Sequence, residues 1–598
     1  MQKKNLIIIA IIVIVLAICG IYFLTQTGSM TKSSYVLSDS DVKALSFDMG
    51  KWNYDEENDI YYQLGVGYCS KPETTEYETL GIYVPGKYFD AAKNGDGTYN
   101  CTLNNENSVG NYTAANAPIV IPVNTPGYSA QSAPTSYSSQ EVKDYTDNGM
   151  IYVYPGCRGR DNGDNFTGGA PWGVVDLKAS VMFLKFNKDV LPGDSEKIIS
   201  FGHSGGGAQS AILGASGDDV QYNPYLESIG AAMSDKDGNS ISNSIYGAMC
   251  WCPITNLDTA DEGYEWYMGQ YSRSNDTWTY ELSNDLAKSY AEYINNLNLK
   301  DSSGNTLKLE KSDNGIYTAG SYYDYQISVI EESLNNFLND TTFPYSGGSS
   351  SQMGGQMPTG QMPAGDTPNT SNNNQAQPNT GSDNESSSGT YQTAKDYIDS
   401  LNGNETWIEY NESSNTVKVK SIEAFVKHSK QASKDVGAFD DLKRGQAENT
   451  LFGNSENDSL HFDRTMSELL NNNSDKYSSY NDYDSSYAGE YSADLTKVDK
   501  LNSTQETRVN MYNPLYYLCD YYNGSGTSTP AKIWRINTGI EQGDTATTVE
   551  TNLALALNQT GNVEDVELNI VWNQGHTQAE RTGDSTSNFI KWINEHSK

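Results

Sequence analysis

Ser204 stands in Gly202-His203-Ser204-Gly205-Gly206-Gly207, between the apolar run Lys197–Phe201 and the helix-compatible run Ala208–Leu213. A serine flanked by glycines on a sharp strand-to-helix turn holds its hydroxyl above the sheet edge, and a Cβ at the neighbouring positions would collide in so tight a turn. Near neutral pH a serine hydroxyl is a weak nucleophile and needs a base beside it. The chain has five histidines. His203 lies inside the turn and is expected to point elsewhere, His428 and His461 fall in a long helix-rich stretch, and His596 is expected in a frayed C-terminal tail. His576 alone follows a core strand-like run, in Trp572-Asn573-Gln574-Gly575-His576-Thr577, and is the expected base. The carboxylate that orients it is expected in Thr538–Thr545, with Asp544 first and Glu541 as the alternative; an N-cap on the next helix is the structural role open to Asp544. Gly205 offers one backbone N–H for an oxyanion hole, and the loop after Asn124 offers a second among Gly127, Tyr128 and Ser129, with Tyr128 taken here.

These residues need a scaffold, and the pattern supplies one. Tyr61–Val66 and Leu80–Val84 read as strands in a polar, tyrosine-rich stretch, and Ala117–Val123 and Met150–Tyr154 as buried strands. A helix over Asp176–Asn187 leads into the serine turn, and Gly247–Cys252 is a further buried strand. Strands alternating with helices imply a mostly parallel sheet. The alternation stops near residue 255 and resumes near Met511, with strands at Lys532–Asn537 and Val566–Trp572 around a helix at Val549–Leu557. The layout is a core in two parts, 30–255 and 511–598, interrupted by a mainly helical insertion at 256–510 that falls where a lid would sit. Within it, residues 346–390 are almost free of large apolar side chains and cannot bury enough surface to order themselves. The order Ser204, Asp544, His576 is the serine–acid–histidine order of α/β-hydrolases.

The formal net charge of −37 excludes a nucleic-acid partner, because phosphates would be repelled. Residues 1–29 carry Lys3, Lys4 and then Leu6–Leu24, an apolar stretch long enough to span a bilayer. The charge flank leaves that end in the cytoplasm. With no small-x-small cleavage site, a retained anchor is favoured over a removed signal peptide, and Ile18 is too bulky for lipidation at Cys19. All three readings put the folded part outside the membrane, tethered at the cell surface or secreted. The other six cysteines show no zinc-ligand spacing; Cys250 and Cys252 read as core, and Cys69–Cys101 as a candidate disulfide. The chemistry calls for no metal or organic cofactor.

The chain resembles the bacterial tannases and related esterases. The matching stretches are Pro155–Arg160, Val175–Ala179, Gly202–Gly207, Cys252–Asp261, Tyr264–Trp266, Ala438–Asp440, Glu448–Gly453, Tyr512–Pro514 and the Asp544–His576 region. The resemblance implies an α/β-hydrolase core with a lid, and hydrolysis of galloyl esters, small aromatic esters such as those in tannins, through a Ser-His-Asp triad. It further implies that a lid lysine and glutamate, here Lys434 and Glu448, contact the ring hydroxyls. Such partners discriminate because the wrong substrate leaves them unpaired. Two features depart from the family: Gln542 sits near a place where an aspartate is usual, and the 346–390 tract has no counterpart. Arg158 and Arg160 offer a carboxylate site, with a structural ion pair the favoured role. The alternatives are a feruloyl or acetyl esterase, a prolyl-oligopeptidase-like peptidase, or a surface binding protein with a vestigial site.

Overall fold

The computed structural model describes residues 35–161, 167–313, 316–346 and 390–597. The Leu6–Leu24 stretch, and all but the two ends of the 346–390 tract, lie outside the described residues. One nine-stranded sheet organises the molecule. Its strands are β1 (Asn53–Asp55), β2 (Ile60–Gly67), β3 (Thr79–Pro85), β4 (Ile119–Val123), β5 (Ile151–Pro155), β6 (Ile198–His203), β7 (Gly247–Trp251), β8 (Ile533–Gly539) and β9 (Asp565–Val571). They lie side by side in the order β1-β2-β3-β5-β4-β6-β7-β8-β9. The pairs from β1 through β5 on that edge are antiparallel, and every pair from β5-β4 to β8-β9 is parallel. The chain is thus a mixed α/β protein with a mostly parallel sheet.

The central strands are rich in apolar residues because both faces are covered. Every residue of β4, β7 and β8 is buried. Two helices that flank the serine turn, α1 (Trp172–Phe186) and α2 (Gly205–Ala215), are buried along their whole length. Charged residues survive in α1 because each has a partner. Asp176 takes a bidentate pair from Arg158, at 2.9 and 2.7 Å, and Lys178 donates to Ser216 O and Asn243 Oδ1. Arg158 is fully buried and also meets Glu73 and Glu78, which makes it the structural ion pair the sequence suggested.

The segment between β7 and β8 is mainly helical. It includes α3 (Ala260–Tyr267), α4 (Trp278–Leu297), α5 (Ser321–Asp340), α6 (Ile422–Ser429) and α7 (Ala447–Leu451). Its loops are tied by one buried carboxylate. Asp440 accepts from Asn449 Nδ2, His461 Nδ1 and the N–H groups of Phe462 and Asp463, all between 2.6 and 2.8 Å. Asp261 at the start of α3 in turn accepts from the N–H groups of Phe439 and Asp440. These bonds fix the stretches that carry Lys434 and Glu448.

Two expectations fail here. Cys69 and Cys101 are buried, and both are free. Cys69 points to Glu78, while Cys101 lies in a separate two-stranded ladder opposite Ala91. His596 is no frayed tail: it ends a packed helix, Ser585–His596, and pairs with Asp565 at 3.3 Å. Among the described residues no helix is long and apolar enough to cross a membrane.

Candidate active site

Parallel strands bring their C-terminal ends to one edge, where ligands of open α/β sheets bind. Ser204 follows β6, Cys252 follows β7, the acid loop follows β8 and His576 follows β9. Ser204 has φ 59° and ψ −125°, a conformation costly for a non-glycine residue and one that the surroundings must enforce. Its N–H donates to Trp251 O at 3.0 Å. The turn is closed by contact: a Cβ on Gly206 would stand 2.0 Å from Val123 O, and one on Gly202 2.5 Å from the Gly206 backbone.

His576 is largely buried. Its Nδ1 lies 3.2 Å from Gln542 Oε1 and 3.4 Å from Asp544 Oδ2. Burial holds the imidazole below its ordinary 6.5, opposed by Asp544 and reinforced by Lys434 and Lys430. Asp544 is the outer partner, with its side chain 43% exposed. It is not the cap of the following helix, α8 (Thr548–Asn558), whose N-cap is Thr547. Glu541 makes no hydrogen bond or ion pair to His576 among the described residues, and burial pushes it up to about 7.

His203 does not point elsewhere. Its ring centroid is 4.6 Å from that of His576, and burial with the neighbouring imidazole pulls it down to about 4. Cys252, expected in the core, stands just past β7 at φ 44°, donating to Thr577 O at 3.2 Å. His203, Cys252 and His576 offer ligand atoms within 4.8 Å of one another. A metal would need the thiolate, and burial pushes this thiol up to about 11.

Gly205 packs against the loop after β4, where its Cβ would lie 2.5 Å from Tyr128 N and 3.1 Å from Gly127 N. The Tyr128 N–H, taken from sequence as the second oxyanion donor, already donates to Thr125 O at 2.9 Å, and Ser129 N–H donates to Pro126 O. Those turn bonds leave Gly127 as the better donor of the three.

Lys434 and Glu448 come to this same edge. Tyr264 Oη accepts from the N–H groups of Ser433 and Lys434, and donates to Gly543 O in the acid loop. Lys434 Nζ lies 4.5 Å from the Phe439 ring centroid. Glu448 is 4% exposed, and burial raises it while Lys434 and Arg160 oppose that rise. Arg160 donates to Gly127 O at 2.6 Å, so it belongs to the site and not to the Arg158 ion pair. A surface hollow of about 560 Å³ beside Asp144, Asn148 and Lys591 lies at the C-terminal helix, away from all these groups.

Sequence reasoning did not place Gln542, His203 or Cys252 beside His576, and favoured a structural ion pair for Arg160. Gln542 was visible only as a departure from the family, and His203 and Cys252 were assigned to turn and core.

Fold and site define a mixed α/β protein with a strained serine turn and a histidine on the next strand edge but two. No family model and no curated protein matches the chain. Its structural neighbours are bacterial tannases, as the motifs led one to expect. The Fusobacterium nucleatum tannase superposes with TM-score 0.64 at 26% identity, over 93% of this chain and 99% of that one. The tannin acyl hydrolase of Lactobacillus plantarum gives 0.63 at 23% identity, over 93% and 99%. A tannin acyl hydrolase in complex with ethyl gallate gives 0.61 at 23%, over 90% and 94%.

Proposed function

We propose that the protein is a serine carboxylic-ester hydrolase of the α/β-hydrolase type, acting on aromatic esters of the galloyl class. The observation that carries this reading is the Ser204 turn, strained at φ 59° and followed on the same sheet edge by His576 with its Nδ1 engaged. With a hydrogen on Nδ1, the imidazole Nε2 is free to take the Ser204 proton. Ser204 Oγ attacks the ester carbonyl, and the oxyanion is met by the N–H groups of Gly205 and Gly127. Collapse expels the alcohol with the proton from His576, and a water activated by the same imidazole releases the acid. Asp544, 3.4 Å from Nδ1, lowers the energy of the imidazolium that forms. The segment 256–510 acts as the lid, and its Lys434 and Glu448 pair with ring hydroxyls. Similarity to tannases, one of them bound to ethyl gallate, supports this substrate class. The N-terminal apolar stretch supports an extracytoplasmic location, tethered or secreted.

The test compares methyl gallate, methyl ferulate and p-nitrophenyl acetate, with Ser204→Ala as control. Turnover of the gallate ester, abolished in Ser204→Ala, is the expected result. Turnover of ferulate or acetate alone would retain the serine chemistry and discard the gallate contacts. No Ser204-dependent turnover of any ester would overturn the reading.

A further inference from the structure

His576 Nδ1 has two oxygen neighbours, and the nearer is an amide. Gln542 is 1% exposed, and its side chain is held at both ends. At one end Nε2, with two hydrogens to give, lies within hydrogen-bond reach of three oxygens, Thr538 Oγ1 at 3.2 Å, Thr545 Oγ1 at 2.5 Å and Glu550 Oε1 at 3.1 Å. The reversed amide would set Oε1 against the Glu550 carboxylate. With Nε2 turned to these oxygens, an orientation favoured whenever Glu550 is ionised, Oε1 faces His576 Nδ1 at 3.2 Å. An amide oxygen only accepts, so Nδ1 must carry the hydrogen. Gln542 is further located through its own backbone: Lys430 Nζ donates to Gln542 O and to Ile540 O.

We propose that Gln542, backed by the buried Glu550, is the positioning residue that fixes the His576 tautomer and ring orientation, so that the nearer acceptor at Nδ1 is a neutral amide and the Asp544 carboxylate is the farther one. This rests on the esterase reading above, in which His576 is the base. Asp544, farther off and facing solvent, acts on the charge of the imidazole and does not set its tautomer. Glu550 is fully buried; burial pushes its carboxyl up to about 7, and Lys430 opposes that. The groups facing His576 are Asp544, Lys434, Lys430, His203 and the Cys252 thiol, while Glu550 and Lys430 face Gln542. A neutral orienting partner leaves the imidazolium less stabilised than a carboxylate would, so the base stays unprotonated to lower pH.

Three variants separate Gln542 from Asp544. In Gln542→Ala, kcat on p-nitrophenyl acetate is expected to fall by about 100-fold or more, with KM within about threefold. Asp544→Asn is expected to lower the acid limb of the pH–rate profile and to reduce kcat less than Gln542→Ala does. Gln542→Glu preserves shape and puts a charge on Nδ1, so its acid limb is expected to rise by about 1 pH unit. An imidazole N–H proton signal from labelled histidine reads the bond without substrate. It is expected in the parent and in Asp544→Asn, and lost in Gln542→Ala. Retention of kcat in Gln542→Ala, loss of the signal in Asp544→Asn, or an unmoved acid limb in Gln542→Glu would each overturn the proposal. The signal needs no ester, so it separates failure of this inference from failure of the esterase reading.

Discussion

His576 is a weakly basic histidine because it is buried more than it is paired. A base must be neutral to accept a proton, and activity is lost as pH falls through its value in the folded protein. With that value below 6.5, the acid limb of kcat/KM is expected to have its midpoint below pH 6.5. Asp544 opposes the effect of burial, so Asp544→Asn moves the midpoint further down; a pH–rate profile on p-nitrophenyl acetate checks both. Lys434→Ala is expected to reduce turnover of methyl gallate by about tenfold or more, while acetate stays within about twofold, because only the gallate ring offers hydroxyls to pair. Equal loss on both esters would assign Lys434 to folding of its segment. At this scale the places of Ser204 and His576 at strand ends were legible, since a glycine-bounded serine between strand and helix, and a histidine just after a core strand, are local patterns. Gln542 was not, because a side chain's partner depends on how a loop closes, and Gln542 and Asp544 are two residues apart in the same loop.

The elements that carry Lys434 and Glu448 depend on Asp440. Replacing it with alanine leaves His461 Nδ1 and two backbone N–H groups buried without an acceptor, and Asn449 Nδ2 with Leu460 O alone. Stranding several buried donors costs about 3–5 kcal/mol. Asp440→Ala is expected to lower the thermal midpoint by several degrees and to weaken methyl gallate turnover more than acetate turnover, with Asp440→Asn milder on both. The core strands were readable from apolar runs of strand length, and β4 to β9 fall within a residue or two of expectation. The insertion yielded only its helical character. Its packing rests on isolated polar residues such as Asp440 and Asp261, which carry no periodic signature.

Across the whole molecule, buried carboxyls gather between the core and the insertion. Burial pushes Asp258 up to about 6, Asp261 to about 7 and Glu262 to about 8, from ordinary values of 3.8 and 4.5. Between those limits the folded chain holds protons that the unfolded chain has released. Stability therefore falls as pH rises through this window. The net charge of −37 adds self-repulsion over the same range. The thermal midpoint is expected to be higher at pH 5 than at pH 8, and Glu262→Gln is expected to flatten the dependence. A midpoint that rises from pH 5 to pH 8 would show these carboxyls to be ionised in the folded state.

The short ladder that pairs Tyr345 with Tyr391 and Ser346 with Thr390 brings the two ends of the 347–389 tract side by side. A chain that leaves and re-enters at one point can change its length without the rest of the fold registering it, since each doubling of such a loop costs only about 0.6 kcal/mol. That doorway makes the tract a cassette: exchanged for a two-residue turn or for a whole reporter domain, it is expected to leave the thermal midpoint of the rest of the fold nearly unmoved.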